Sequence, residues 1–135
     1  AAPLGCDVEP VAARAASAWR DLLGDDGWAL AGLVAAEAGE DADAAATRVW
    51  CAREALVKAG AQRTAPLVLA ATPADGWAIL RSGSVAVATV SLRVTGEDEP
   101  LVLAIATAPA AARAPAGPAA GAATETEAAL EPAAL

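Results

Sequence analysis

The chain has 135 residues and a formal charge of −8, from 9 basic and 17 acidic side chains, and it contains no His, Met, Phe or Tyr. Without histidine there is no His-based triad, no imidazole general base and no His-ligated metal, and with basic residues scattered singly there is no phosphate-tracking surface for nucleic acid. The chain is 56% hydrophobic, but 43 alanines supply more than half of that fraction, so a core of single-domain size must be built from small side chains.

In chain order, residues 2–8 are a short apolar run that turns acidic at Asp7 and Glu9 before Pro10, which predicts a strand ending in carboxylates. Residues 11–23 carry Val11, Ala15, Ala18, Trp19 and Leu22 at helical spacing, with Gly24 as the stop. A second helix is predicted over residues 28–38, through Leu30, Leu33 and Val34 to Gly39. A third follows, capped by Asp41 or Asp43 and running through Val49, Trp50, Leu56 and Val57 to Gly60. The period then becomes extended, with strands predicted at residues 66–71, 76–80, 84–94 and 100–107 between turn-forming segments. The last three strands are expected to form an antiparallel meander.

This order predicts an α+β domain over residues 1–107: one N-terminal strand, three helices, then an antiparallel sheet packed against the helices. Residues 108–135 read as an Ala/Pro-rich low-complexity tail, with one capped turn at residues 124–130 as its only ordered piece. The longest nearly uncharged stretch, residues 101–112, contains Pro109 and is about half of the ~20 residues that a spanning helix needs. No membrane span or membrane partner is expected. Cys6 and Cys51 are too few for a disulfide framework and read as reduced packing residues in a cytoplasmic setting. A first residue that is not Met, with no signal-peptide pattern, reads as a processed product or a piece excised from a longer polypeptide.

Two segments carry chemistry. In Gly5-Cys6-Asp7-Val8-Glu9 the period-two alternation of a strand puts Asp7 and Glu9 on one face, where both can reach a single hard cation. An acidic strand end facing water is the simpler reading of that pair alone. In the segment from Trp50 to Gly60, Glu54 and Lys58 are i, i+4 neighbours on a helix with Arg53 beside them, which by itself describes an ordinary surface ion pair. Lys58 is the only lysine of the chain.

Together, Gly-x-Asp-x-Glu at a strand end and Trp-x-x-Arg-Glu-Ala-x-x-Lys-Ala some forty residues later resemble the 4′-phosphopantetheinyl transferases of the surfactin-synthetase-activating type. The matching residues are Gly5, Asp7, Glu9, Trp50, Arg53, Glu54, Ala55 and Lys58, with Arg53 in place of the more common Lys. Residues 47–60, Asp75-Gly76-Trp77 and residues 84–94 look most like the transferase domain at the C-terminus of enediyne-type iterative polyketide synthases.

The resemblance spans about residues 4–107 and implies the C-terminal half of a pseudo-two-fold transferase, with an N-terminal half expected in the same polypeptide. It implies Mg²⁺- or Mn²⁺-dependent transfer of 4′-phosphopantetheine from coenzyme A to a serine of an acyl carrier protein. The metal ligands would be Asp7, Glu9 and Glu54. Glu54 would take the serine proton, Lys58 would neutralise or protonate the leaving phosphate, and Arg53 and Lys58 would hold coenzyme A phosphates, while Trp50 packs. The alternative is a non-catalytic half-domain that docks or scaffolds a carrier protein. Because carrier proteins of this kind are usually acidic, like this chain, docking is expected to rest on apolar contact or on covalent tethering within one polypeptide.

Overall fold

The computed structural model describes residues 4–108. Strand β1 (Leu4–Pro10) is followed by helices α1 (Ala16–Ala38) and α2 (Ala42–Lys58), then by strands β2 (Val68–Ala71), β3 (Trp77–Ser82), β4 (Val85–Leu92) and β5 (Leu101–Thr107). The strands form one antiparallel sheet in the order β1-β5-β4-β3-β2, so the first strand pairs with the last and β3-β4-β5 is the expected meander. The molecule is α+β, with both helices on one face of the sheet. Among the described residues no helix is long and apolar enough to cross a membrane.

Helices α1 and α2 stand where three were expected, and α1 holds the first two of them joined at a kink. The apolar stripe Trp19, Leu23, Gly27, Leu30, Ala31 and Val34 lies along one face of α1 across a kink at Gly24, so the first expected helix does stop at Gly24 and the second begins directly after it, with no linking segment over residues 25–27. Gly24 does interrupt the helical dihedrals, at φ 77° and ψ 169°, a conformation that only glycine adopts cheaply. Residues 11–15, expected to be helical, are extended because other partners take their backbone. Val11 N donates to Pro100 O at 2.9 Å, Ala12 N to Thr47 Oγ1 at 3.2 Å, and Arg14 N to Asp43 Oδ1 at 3.2 Å.

Helix α2 lies between α1 and the sheet and is buried nearly all round, through residues such as Ala45, Val49, Ala52, Ala55 and Leu56. Its cap is Asp41, whose Oδ1 accepts from Ala44 N at 2.8 Å. Asp43, the other expected cap, instead accepts from Trp19 Nε1 at 2.8 Å and ties α1 to α2. The alanine load brings helix and sheet close together. A β-carbon at Gly5 would fall on the Ala55 carbonyl oxygen and stand 2.7 Å from Ala59 N, so β1 rests on α2 with no room for a side chain.

Cys51 is buried, its Sγ 3.3 Å from Asp7 O and 3.4 Å from Val102 O, and its burial beside Asp7 pushes the thiol far up. Cys6 corrects the packing expectation. The strand alternation that turns Gly5 and Asp7 inward leaves Cys6 exposed on the opposite face. Both cysteines are free thiols. Of the expected tail, residues 109–135, with the turn at 124–130, lie outside the described residues.

Candidate functional site: a carboxylate pair beside Lys58

The inward face of β1 presents Gly5, Asp7 and Glu9 in succession. Gly5 sets the close approach to α2, and Asp7, two residues on, therefore meets the last turn of that helix. Lys58 Nζ donates to Asp7 Oδ1 at 2.8 Å. Asp7 is only 8% exposed, yet its Oδ2 is buried without a hydrogen-bond partner. A buried polar atom left in that state is costly and calls for a partner. Lys58 stays half exposed, and its hydrogen bond to Asp7, with the charges of Asp7, Glu54 and Glu9, raises its pKa despite some desolvation.

Glu9 completes the cluster. Burial, a hydrogen bond to Asp7, and the negative charges of Asp7 and Glu54 push its carboxyl up to about 7, against a smaller opposing pull from Lys58. Asp7, Glu9 and Glu54 thus share one field, in which Lys58 pairs with Asp7 and Arg63 with Glu54, and Glu9 has no ion-pair partner. A cation at that point would relieve all of them.

Glu54 lies within that field but pairs elsewhere. Its Oε2 accepts from Arg63 Nη1 at 2.5 Å, and Lys58 pairs with Asp7, so the i, i+4 pair expected between Glu54 and Lys58 is replaced by two longer-range ones. Arg63 carried no signal in the sequence, because it lies nine residues from Glu54 and beyond the end of the helix. Among the described residues no three His, Cys, Asp or Glu side chains are gathered closely enough to hold an ion. Asp7 and Glu9 are the pair that fits one. Two carboxylates, with waters and substrate oxygens filling the remaining positions, is how a magnesium ion is usually held. With both acids ionised, Asp7 Oδ2 has no partner, and either the Glu9 proton or an ion would supply one.

The structure does not bring Arg53 to this cluster. Its Nη1 donates to Leu23 O at 2.7 Å beside the break in α1, and its guanidinium packs against Gly27. It lines an open cavity with Gly24, Asp25, Asp26, Arg63 and Thr64. Burial lowers its pKa, and Asp26 partly offsets that. Trp50 packs against the core, as expected. Its exposed edge joins Glu9, Arg14, Trp19 and Thr47 around a cleft of about 120 Å³ that opens next to the carboxylate pair. Arg14 lies over the Trp19 ring at 5.2 Å in the same cleft.

A second ionic group went unread in the sequence. Arg48 is buried in α2, with Nε and Nη2 on the Glu40 carboxylate at 2.9 and 2.7 Å and Nη1 on Thr89 O and Oγ1. Every contact is satisfied, and the fork locks α2 to the chain before it and to β4. This group is structural. Compared with known proteins, the chain matches no family model, no curated protein and no solved structure.

Proposed function

We propose that the chain is the metal-binding half of a 4′-phosphopantetheinyl transferase, acting on coenzyme A and a serine of an acyl carrier protein. The observation that carries this reading is the close pair of carboxyls Asp7 and Glu9, which share a hydrogen bond when Glu9, raised to about 7, keeps its proton, and leave Asp7 Oδ2 unsatisfied when both are ionised. These two acids occupy the two acidic positions of the Gly-x-Asp-x-Glu motif. A divalent ion held there would neutralise pyrophosphate charge on the donor. Asp7 and Glu9 would hold the ion, and Lys58, at hydrogen-bond distance from Asp7, would supply positive charge or a proton to the departing adenosine 3′,5′-bisphosphate. Glu54, released from Arg63, accepts the proton of the serine hydroxyl as its oxygen bonds to phosphorus and the phosphoanhydride bond breaks. The cleft between Glu9, Trp19 and Trp50 lies beside the reacting groups and would border the pantetheine arm. Arg53, turned toward Leu23, would reach a phosphate only by exchanging that contact.

One observation favours the second reading, a non-catalytic docking half. Lys58 and Arg63 already occupy Asp7 and Glu54, so the chain neutralises much of the site by itself. The two readings separate in one experiment. The protein, alone and within its native polypeptide, is incubated with apo carrier protein, coenzyme A and Mg²⁺, and the carrier is weighed by mass spectrometry. Gain of one phosphopantetheine that is lost in Asp7→Ala supports transfer. An unmodified carrier in both formats, with no Mn²⁺ binding by titration, refutes it.

A further inference from the structure

Among the described residues the helices cover one face of the sheet only, yet the strands are apolar on both. β5 reads Leu101-Val102-Leu103-Ala104-Ile105-Ala106, and β4 begins Val85-Ala86-Val87-Ala88. An antiparallel strand with one solvated face normally alternates apolar and polar residues, and a near-continuous apolar run marks a strand buried on both faces. The register turns Val102, Ala104, Ala106, Val87 and Leu80 toward the helices, where they are fully buried. It turns Leu4, Val8, Leu103, Ile105, Ile79 and Val68 the other way, onto the face that no described helix covers, where Leu103, Ile105 and Ile79 are partly buried and Val90 between them is buried by its neighbours. Leu4 is 63% exposed, Val8 53% and Val68 56%. Among the described residues Arg81 is the only charged side chain that the register places on this outer face, in a chain with 17 acids.

We infer that this outer face is a dimer interface, occupied by the same face of a second copy of the chain. Size is the first argument. Five strands about 4.8 Å apart and roughly 20 Å long present about 500 Å² in projection, and more in accessible area because side chains stand up from the pleat. That stands near the upper end of the roughly 300–600 Å² that the largest apolar patch of a lone protein spans, and supplies the greater part of the about 800 Å² per partner that a standard interface buries, the rim providing the rest. Charge is the second argument. Two copies of a chain at −8 repel one another over most of their surface, and this face is where they meet without opposed acids.

Charge also selects the symmetry. Asp75 and the run Glu97-Asp98-Glu99 all lie in the loops at one end of the strands, β2–β3 and β4–β5, while the β3–β4 turn at the other end is neutral and Arg81 stands near it. A two-fold axis along the strands would stack acidic end on acidic end. A two-fold axis across them lays each β3 over its partner in reverse, which brings Arg81 to the acidic end of the other copy. Such an isologous face closes at two copies, with the sheets packed about 10 Å apart. The carboxylates of β1 point the other way, toward the helices, and stay open.

Sedimentation velocity of the full chain across micromolar concentrations tests this without reference to any transfer activity. A species of twice 13.2 kDa is expected. Leu103→Asp should reduce it to a folded monomer with an unchanged circular dichroism spectrum. Should that variant fail to fold, Val8→Asp, at an exposed position on the neighbouring strand, gives the same readout. Arg81→Glu should weaken dimerisation about tenfold or more, by turning an attraction into a repulsion. A monomeric parent chain, whether its face is bare or covered by residues 109–135, overturns the proposal. So does an open-ended assembly, or a dimer that survives Leu103→Asp and Val8→Asp unchanged.

Discussion

Lys58 Nζ and Asp7 Oδ1 meet at 2.8 Å across 51 residues of sequence, and this contact holds the acidic strand to the end of α2. Lys58→Met keeps the aliphatic stem and removes the ammonium, which leaves the buried Asp7 carboxylate without a counter-charge. The melting temperature should fall. Millimolar Mg²⁺ should restore it by a larger margin than it adds to the parent, since a cation then supplies the missing charge. An equal Mg²⁺ response in the two proteins would show that no ion binds at Asp7.

Glu9 gives the fold a specific pH dependence. The folded protein keeps the Glu9 proton up to about pH 7, whereas the unfolded chain releases it near 4.5. The stability from this group is therefore complete below pH 4.5 and is lost as pH rises through 7. Glu9→Gln should remove that slope and stabilise the protein at alkaline pH by about 1–2 kcal/mol, less than the full shift because the group is partly solvated. Denaturant unfolding at acidic and alkaline pH measures it, and an unchanged slope in the variant would place the titration elsewhere.

Gly5→Ala should be among the most damaging conservative changes in the chain. The added methyl falls on the Ala55 carbonyl, backbone against backbone, where no side chain can turn aside. A loss of about 3 kcal/mol or more is expected from overpacking of this kind, together with the separation of Asp7 from Lys58. A variant that unfolds at the parent temperature would mean that β1 shifts freely over α2.

The ion pair between Glu54 and Arg63 separates a working acid from a structural one. In a transfer assay Glu54→Gln should lose about 100-fold or more in rate if the side chain accepts the serine proton. Arg63→Ala, which frees Glu54, should hold the rate or raise it. A fully active Glu54→Gln protein, or equal losses in both variants, would leave Glu54 with a merely structural part.

The sheet was legible because its signals are local. Alternation placed Asp7 and Glu9 on one face, apolar runs located the later strands, and short turn-forming segments separated them. The helical half was less so. Gly24 reads as a stop in sequence and the helical path does break there, but that the helix resumes at once depends on the stripe from Trp19 to Val34 packing as one surface. The start of α1 was misplaced because Thr47 and Asp43, distant in sequence, take the backbone donors of Ala12 and Arg14. The same limit applies at the site. The residue types of Asp7, Glu9 and Lys58 were readable, but their pairing is a tertiary fact. So is the turn of Arg53 toward Leu23, which no helical spacing encodes.

The pairing of the first strand with the last also governs when the site comes into being. Leu4 lies opposite Thr107, and Pro10 opposite Leu101, so β1 has no partner strand until nearly the whole domain has emerged from the ribosome. Closing a loop of that length is a late and slow step, since its entropy must be lost before any contact rewards it. Until then the nascent chain carries Asp7 and Glu9 on an unattached arm, and Lys58 has nothing to hold. If Asp7 and Glu9 hold a cation as proposed, competence to bind it would report that folding is finished, and a chain truncated before β5 would lack the site even though it contains all of its residues.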